Sequence, residues 1–549
     1  MLDRIRFEDT DTRVRRYLVP ERILRTQGDV ENATCLLTYR NRQIHLQEKS
    51  FCRISTEEQR GGILLDFGTE LHGGALLSVH KVIGEGKVRL SFGESASEAL
   101  STLGQKGACN DHCARDFTVE VKPYSVNEYG TTGFRFLFIE LLSPGSITLV
   151  QTQAVAIYQP LEYLGSFHSD DELLNRIYDT AAYTCHLCVQ NELWDGIKRD
   201  RLIWVGDVAP ELKAIKYLFG EIPQLGRTLS LSAEDAPLPL WINKHPTYSL
   251  WWLVNLEEWV HYTGNRSYLA QLSNYVCALV PQILENIDER GDFSAATVLD
   301  WPSKAYPDLS RGGIRTLLFW ALNAGARLCR MLDKVTLAEA CEGAARSMQG
   351  VKRSAGHLKQ VAAMLMLGGF DDPSCAELLQ QNGAKGLSTF MSYYILSAMT
   401  KCCSTEHTLQ VLKDYYGGML AMGATTFFED FDLDWTKNAC PIDEIPDGTR
   451  PDLHGDFGNY CYRGFRHSLC HGWSCGPVPF LTEHVLGVSI TDEACRAIEI
   501  TPHLGHLQHV RGSIATPHGK VEIEHERQAD GSVHTTVHAP EGIRININR

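Results

Sequence analysis

The sequence predicts a multidomain chain: a jelly-roll-like N-terminal β-sandwich over residues 1–162, a toroid of helices over 163–487 and a small C-terminal β-sandwich over 488–549. Three observations carry the prediction. The apolar pattern switches period from 2 to 3.6 at Ser169 and returns to short strand-like runs after about residue 490. Between the two switches there is room for roughly a dozen helices, which suits a toroid. The 549 residues, 44% hydrophobic and 22% charged, are enough for two or three domains with a large core.

The elements follow in order. Gly62-Ile63-Leu64-Leu65-Asp66-Phe67-Gly68 and Lys87-Val88-Arg89-Leu90-Ser91-Phe92 are β-branched and aromatic runs bounded by glycine and charge, and read as strands. Ser169-Asp170-Asp171-Glu172 has the form of a capping box, with Leu173, Leu174, Ile177, Tyr178, Ala181 and Ala182 following at helical spacing. Segments 249–262, 268–287, 316–332 and 336–351 continue the helical pattern between Gly/Pro/Asp-rich loops that carry most of the aromatics and acids. Residues 519–524 and 531–537 return to strand character.

A formal net charge of −15 argues against nucleic acid or an anionic membrane as the main partner, since both need a basic face. An uncharged or weakly charged small molecule fits better. Charges fill the start, Met1 to Asp9, where a signal peptide needs an apolar run, and no later segment approaches the apolar length of a membrane span; the expected compartment is the cytoplasm. Seventeen cysteines, odd in number and without a framework, fit reduced thiols in such a compartment. Oligomeric state is not written in the pattern.

One segment concentrates the chemistry. Trp194-Asp195-Gly196-Ile197-Lys198-Arg199-Asp200-Arg201-Leu202-Ile203-Trp204-Val205-Gly206-Asp207 holds three acids, three bases and two indoles. Acids transfer protons and accept from hydroxyl pairs, cations hold hydroxyls or tune a neighbouring acid, and indole faces stack on the C–H faces of a pyranose. That is the composition of a sugar site.

This segment, Leu65-Asp66-Phe67-Gly68, the helix entry Phe167 to Asn175, Leu299-Asp300-Trp301, Ala424-Thr425-Thr426-Phe427-Phe428-Glu429 and Ser468-Leu469-Cys470-His471-Gly472 together resemble the bacterial α-L-rhamnosidases of glycoside hydrolase family 78. The resemblance covers most of the chain and implies an (α/α)6 barrel as the catalytic domain. It also implies an inverting hydrolase that removes terminal α-L-rhamnose: one carboxylic acid protonates the glycosidic oxygen while a carboxylate, about 6.5–9.5 Å away, deprotonates the attacking water. By position the general acid falls on Asp200 and the general base on Glu429. The chain departs from the family here, with Gly196-Ile197-Lys198-Arg199 in place of a Cys-Pro-Gln loop, and an aspartate one methylene shorter than the usual glutamate. The resemblance further implies that Asp195 and Asp207 bind sugar hydroxyls, that Lys198 or Arg199 replaces the family's arginine, and that Trp204 stacks near the sugar methyl. Trp251, Trp252, Asp300 and Trp301 are further wall and contact candidates, and His471 a polar contact. An aromatic wall favours a 6-deoxy sugar because a hydroxymethyl there would lack a partner.

Plainer readings compete. Asp200 and Arg201 could be a surface ion pair, Trp204 a core indole and Glu429 part of an acidic turn. Adjacent indoles face different sides of a helix, so at least one of Trp251 and Trp252 belongs to the core, and His471 could be a satisfied buried histidine. Gly472-Trp473-Ser474-Cys475-Gly476 matches a serine-hydrolase elbow, but no strand pattern precedes it and Pro477 and Pro479 are expected to interrupt the helix it requires. Cys185-His186-Leu187-Cys188 and Cys109-Asn110-Asp111-His112-Cys113 each resemble half a zinc knuckle without its second pair. No P-loop or Rossmann fingerprint is present, and neither metal nor cofactor is expected. A glycosidase for another sugar, a polysaccharide lyase and a non-catalytic sugar-binding protein remain as alternatives.

Overall fold

Strand pairing near the N-terminus follows the period-2 pattern. The computed structural model describes residues 11–40, 44–295 and 298–548, so the charged start at residues 1–9 lies outside the described residues. The strands are β1 (Val14–Leu18), β2 (Arg22–Gln27), β3 (Asp29–Glu31), β4 (Cys52–Ser55), β5 (Gly62–Gly84), β6 (Lys87–Gly93), β7 (Asp116–Glu120), β8 (Ser125–Leu141) and β9 (Gly145–Tyr158). They pair in the order β3-β4-β9-β5-β8-β6-β7, with β1 on β9 and β2 on β5. Along β5, Ile63, Leu65 and Phe67 join one cluster with Leu90, Phe92, Phe134, Leu137 and Ile139, while Leu64 joins Phe136 and Phe138 on the other face. Helix α1 (Ala96–Leu100) supplies Ala96 and Ala99 to that second face. A sheet apolar on both faces reads as a continuous run, which is why 62–67 lacks alternation. Truncating Phe136 to alanine there would cost about 3–5 kcal/mol. Asp66 is fully buried at the first register break of β5, where it accepts from Arg135 Nε (2.8 Å) and Arg22 Nε (2.7 Å).

The chain divides into two compact units, one of Met1–Pro160, His186–Leu202 and Met419–His471, the other of Leu161–Cys185, Ile203–Gly418 and Gly472–Arg549. The second unit is built on helices: α2 (Glu172–Cys188, which runs on into the first unit), α3 (Val208–Leu218), α4 (Pro223–Glu234), α5 (Pro246–Thr263), α6 (Arg266–Gln271), α7 (Ser273–Glu285), α8 (Trp301–Lys304), α9 (Pro307–Met331), α10 (Val335–Ser347), α11 (Lys359–Gly368), α12 (Pro373–Gln380), α13 (Ser392–Met399), α14 (Thr405–Ala421) and α15 (Pro477–His484). α9 packs on α5, α10 and α11, and α3 on α5 and α15. Buried Leu250, Leu253, Leu256 and Val260 make α5 a core helix, each such side chain contributing about 1.5–3 kcal/mol.

Several boundaries differ from the sequence expectation. α2 is capped by Asp171, whose Oδ1 accepts from the amides of Leu173 (3.0 Å) and Leu174 (3.2 Å), rather than by Ser169, which ends a strand and bonds Asn175. The helix expected over 268–287 divides at Leu272. α5 and α9 start earlier than expected, each with a proline in the first turn, where the missing N–H has no partner to lose. The same reason corrects the reading of Pro477: it opens α15 instead of breaking it.

Strands also belong to this unit: β10 (Ser166–Ser169), β13 (His509–Thr516), β14 (Gly519–Arg527) and β15 (Val533–His538) form one antiparallel sheet, and β11 (Val488–Ile490), β12 (Ala497–Ile500) and β16 (Arg544–Ile547) another. In β14, Val521, Ile523 and His525 face inward and Glu522 and Glu524 outward, the alternation of a half-buried strand. Among the described residues no helix is long and apolar enough to cross a membrane.

Candidate active site

In the first unit, residues 194–202 close into a loop on Asp195. Its amide donates to Leu202 O (3.1 Å), and the Leu202 amide donates to its Oδ1 (3.0 Å). Gly196 pairs with His471 in a single antiparallel bridge, and a Cβ at Gly196 would stand 3.0 Å from Cys470 O, so glycine allows the close approach. Segments 427–429 and 468–471 run beside each other: the Glu429 amide donates to Ser468 O (3.0 Å), the Ser468 amide to Glu429 Oε2 (3.1 Å) and the His471 amide to Phe427 O (3.1 Å). Glu429 is buried, unlike a residue of a solvated acidic turn.

Arg199 joins the two segments. Its Nη2 binds Glu429 Oε1, its Nη1 binds Asp200 Oδ1 at 3.0 Å, its Nε donates to Arg466 O at 2.9 Å, and the Tyr462 ring lies 5.4 Å from the guanidinium. One guanidinium therefore holds both acids singled out by the sequence. Burial alone would lower the Arg199 pKa, but Glu429 and Asp200 outweigh it and raise it, so the cation is permanent. Asp200 and Arg201 both have φ of +53°, a left-handed pair without glycine. His112 Nδ1 accepts from the Asp200 amide (2.8 Å), and Arg201 donates to Thr131 O (3.0 Å) and His112 O (3.1 Å), so Asp200 pairs with Arg199 rather than Arg201.

His471 Nε2 lies 3.6 Å from Glu429 Oε1 and 3.7 Å from Asp195 Oδ2. Burial pulls His471 down to about 4, which leaves its imidazole neutral at pH 7. Burial, reinforced by the Asp200 charge, pushes Asp195 up to about 8, so this carboxyl holds a proton at neutral pH. Asp430 rises to about 7 through burial and the neighbouring Glu429.

Lys198 points elsewhere. Its buried ammonium lies 2.9 Å from Glu94 Oε2 and 3.3 Å from Glu98 Oε1 and donates to Phe465 O (3.0 Å) and His467 O, leaving it committed to protein acceptors. Glu94 also accepts from the Leu469 amide (2.6 Å) and Ser468 Oγ (3.2 Å), and so ties the 198–200 turn to the segment that holds Glu429. Burial pushes Glu94 up to about 7, Lys198 opposing and Glu98 adding to the shift. Sequence reasoning missed Glu94, Glu98, Tyr462 and Asp430; the only local signal was two glutamates one helical turn apart.

The second unit holds the remaining candidates. Asp207 stands at the start of α3, and its Oδ1 accepts from Tyr248 Oη at 2.9 Å. A Cβ at Gly206 would lie 2.5 Å from the Tyr248 ring, so glycine there lets the tyrosine reach Asp207. The Trp204 ring lies 6.2 Å from those of His245 and Tyr248. Asp300 caps α8 through the Ser303 amide (2.9 Å), and the Lys304 ammonium sits 4.5 Å from the Trp301 ring. Trp252 is a core residue donating to Leu229 O (2.9 Å), whereas Trp251 packs among aromatic rings. In the elbow-like motif, Ser474 is fully buried in a 3-10 turn, and no strand directly precedes it among the described residues.

No protein-family profile matches the sequence, and no curated protein matches it. By shape the chain has a multidomain fold, with sheet domains and a helical domain, that it shares with solved structures including α-L-rhamnosidases. The GH78 rhamnosidase of Bacillus sp. GL1 superposes with a TM-score of 0.75 and 21% identity, over 94% of this chain and 55% of that one. The α-L-rhamnosidase of Dictyoglumus thermophilum gives 0.68 and 16%, over 90% and 58%. The rhamnosidase of Klebsiella oxytoca, solved with rhamnose bound, gives 0.63 and 18%, over 86% and 96%. The chain thus spans somewhat over half the length of the first two.

Proposed function

We propose that this chain is an inverting glycoside hydrolase that releases terminal α-L-rhamnose from small glycosides or oligosaccharides, with residues 163–487 forming an (α/α)6-barrel catalytic domain. The observation that carries the reading is the Arg199 guanidinium between Asp200 and Glu429. Asp200 is the general acid that protonates the glycosidic oxygen, and Glu429 the general base that takes a proton from water. The Arg199 guanidinium bridges the two carboxyl groups, Nη1 on Asp200 and Nη2 on Glu429, and so fixes where each stands relative to the other. The left-handed turn at 200–201 sets where the shortened acid projects. Asp195, protonated, donates to a sugar hydroxyl, and His471 offers a neutral imidazole. Asp207, oriented by Tyr248, takes a further hydroxyl pair, with Trp204 as the wall for the sugar methyl. The two carboxyl groups carry the proton transfers without calling on a cofactor. The odd-numbered, scattered cysteines suit the cytoplasm.

The test is hydrolysis of p-nitrophenyl α-L-rhamnopyranoside beside other p-nitrophenyl glycosides. Rhamnose release, lowered about 10²–10⁴-fold in both Asp200→Asn and Glu429→Gln, is expected, with β-rhamnose as the first anomer seen by NMR. Release of another sugar would overturn the specificity, an α-anomer first would overturn inversion, and absorbance from a new double bond would identify a lyase.

A further inference from the structure

Within the helical unit, α3 and α5 carry chemistry at both ends. Asp207 and Tyr248 stand at their N-terminal ends. Toward their C-terminal ends opens a cavity of about 860 Å³, reached by Lys213 and Lys216 on α3 and by residues from Trp251 to Tyr262 on α5. Behind the lining, Trp251 packs on Phe390 (6.4 Å), which stacks on Trp473 (5.1 Å).

Three features of the lining define what it would hold. The charges balance: Lys213 and Lys216 share Glu258 (2.7 and 2.8 Å), Lys216 also approaches Glu483 (3.7 Å), and Arg327 grips Glu257 with two bonds (2.6 and 2.9 Å). A charged ligand would unbalance that set, whereas a neutral one would not. A wall of rings runs beside the charges, with Tyr394 5.8 Å from the part-exposed Trp320 at 31° and 5.6 Å from Trp251. Two lining residues also carry buried polar atoms without a protein partner, Trp251 Nε1 and Tyr394 Oη. A saturated sugar ring with an apolar C–H face and a rim of hydroxyls answers all three: it stacks on aromatics, bridges fixed ion pairs and brings no charge. The volume lies within the range of small-molecule sites.

We propose that this cavity is a second carbohydrate site, taking a neutral pyranose of one or two rings at the end of α3 and α5 away from Asp207. The site stands on these residues alone, independent of whether the chain hydrolyses rhamnosides. Calorimetry and saturation-transfer NMR with L-rhamnose, D-glucose and cellobiose test it in four full-length proteins: wild type, Trp320→Ala, Tyr394→Phe and Asp207→Asn. For at least one sugar, affinity is expected to fall about tenfold in Trp320→Ala and persist in Asp207→Asn. Tyr394→Phe removes one oxygen without disturbing the wall and serves if Trp320→Ala loses its cooperative unfolding; a several-fold loss is expected there too. Binding that disappears in Asp207→Asn and is untouched by both aromatic variants overturns the site, as does no binding of any of the three sugars. Rhamnoside hydrolysis retained in Trp320→Ala alongside lost sugar binding would separate this site from the catalytic reading, whose failure would show as absence of turnover in the wild type.

Discussion

In the first unit one ammonium, Lys198, lies between two carboxylates, Glu94 and Glu98, of which Glu98 also faces Arg115 (3.6 Å); in the second, two ammoniums, Lys213 and Lys216, meet on Glu258, with Lys216 also 3.7 Å from Glu483. Glu94 is fully buried and Glu258 part-buried at the cavity wall, and the two titrate in opposite directions. Glu94 is pushed up to about 7 by burial, which a single shared lysine does not offset. Glu258 is also opposed by burial, but two lysines outweigh it and pull it down to about 2. Cations in direct contact and depth of burial together decide whether such a carboxylate stays ionised across the physiological range. The first cluster lies in the unit that holds Glu429; the second, where Glu258 has two lysines in contact, lines the cavity.

Replacing one lysine in each cluster with methionine puts this contrast to its severest test. Lys198→Met strips the only ammonium from two buried carboxylates and should cost about 3–5 kcal/mol in urea unfolding. Lys216→Met leaves Lys213 on Glu258 and should cost less, about 1–3 kcal/mol. Equal losses would mean that counter-charge number does not matter. Next, Glu94→Gln keeps an acceptor for the Leu469 amide but loosens the grip on Lys198. A fall in kcat of about 10–100-fold with KM little changed is expected if Glu94 positions the Arg199 turn. An unchanged kcat with a lowered melting temperature would reduce Glu94 to a structural role.

The smallest effects are in pH dependence. Glu94 is raised above its ordinary 4.5, so its stabilising environment is fully felt below that pH and is lost as pH rises toward about 7. Glu258 is lowered, so its contribution is present above 4.5 and is lost as pH falls toward about 2. Stability in urea should therefore fall between pH 5 and 7 more steeply in the wild type than in Glu94→Gln, whose side chain does not titrate. Asp195→Asn extends the contrast: with Asp195 held at about 8, the substitution should raise the melting temperature more at pH 8 than at pH 5. A larger gain at pH 5 would contradict the raised value.

The sequence was readable where function and local pattern coincide. Asp195, Arg199 and Asp200 lie within a few residues, and the structure brings them together with Glu429 and His471 in one unit. Strands at 62–68 and 87–92 followed from β-branched and aromatic runs between glycines and charges, and the helix at 249–262 from periodicity. What was not readable depends on contacts distant in sequence. Nothing near Lys198 distinguishes it from Arg199, and its partners Glu94 and Phe465 are supplied by chain about a hundred residues before and well over two hundred after it. Helix starts were misplaced for a smaller reason: Pro246, Pro307 and Pro477 each sit in a first turn, where a helix tolerates proline and where apolar spacing has not yet begun to show.

Two consecutive non-glycine residues in the left-handed region cost about 1–3 kcal/mol each, and Asp200 and Arg201 are such a pair. Directed evolution would meet that cost as a conflict of objectives. Libraries selected for thermal survival should enrich glycine or asparagine at 200 and 201, which relax the turn, whereas libraries selected for turnover should retain the strained aspartate. The divergence between the two winning populations at these positions would show, without any substrate analogue, whether turnover depends on the turn.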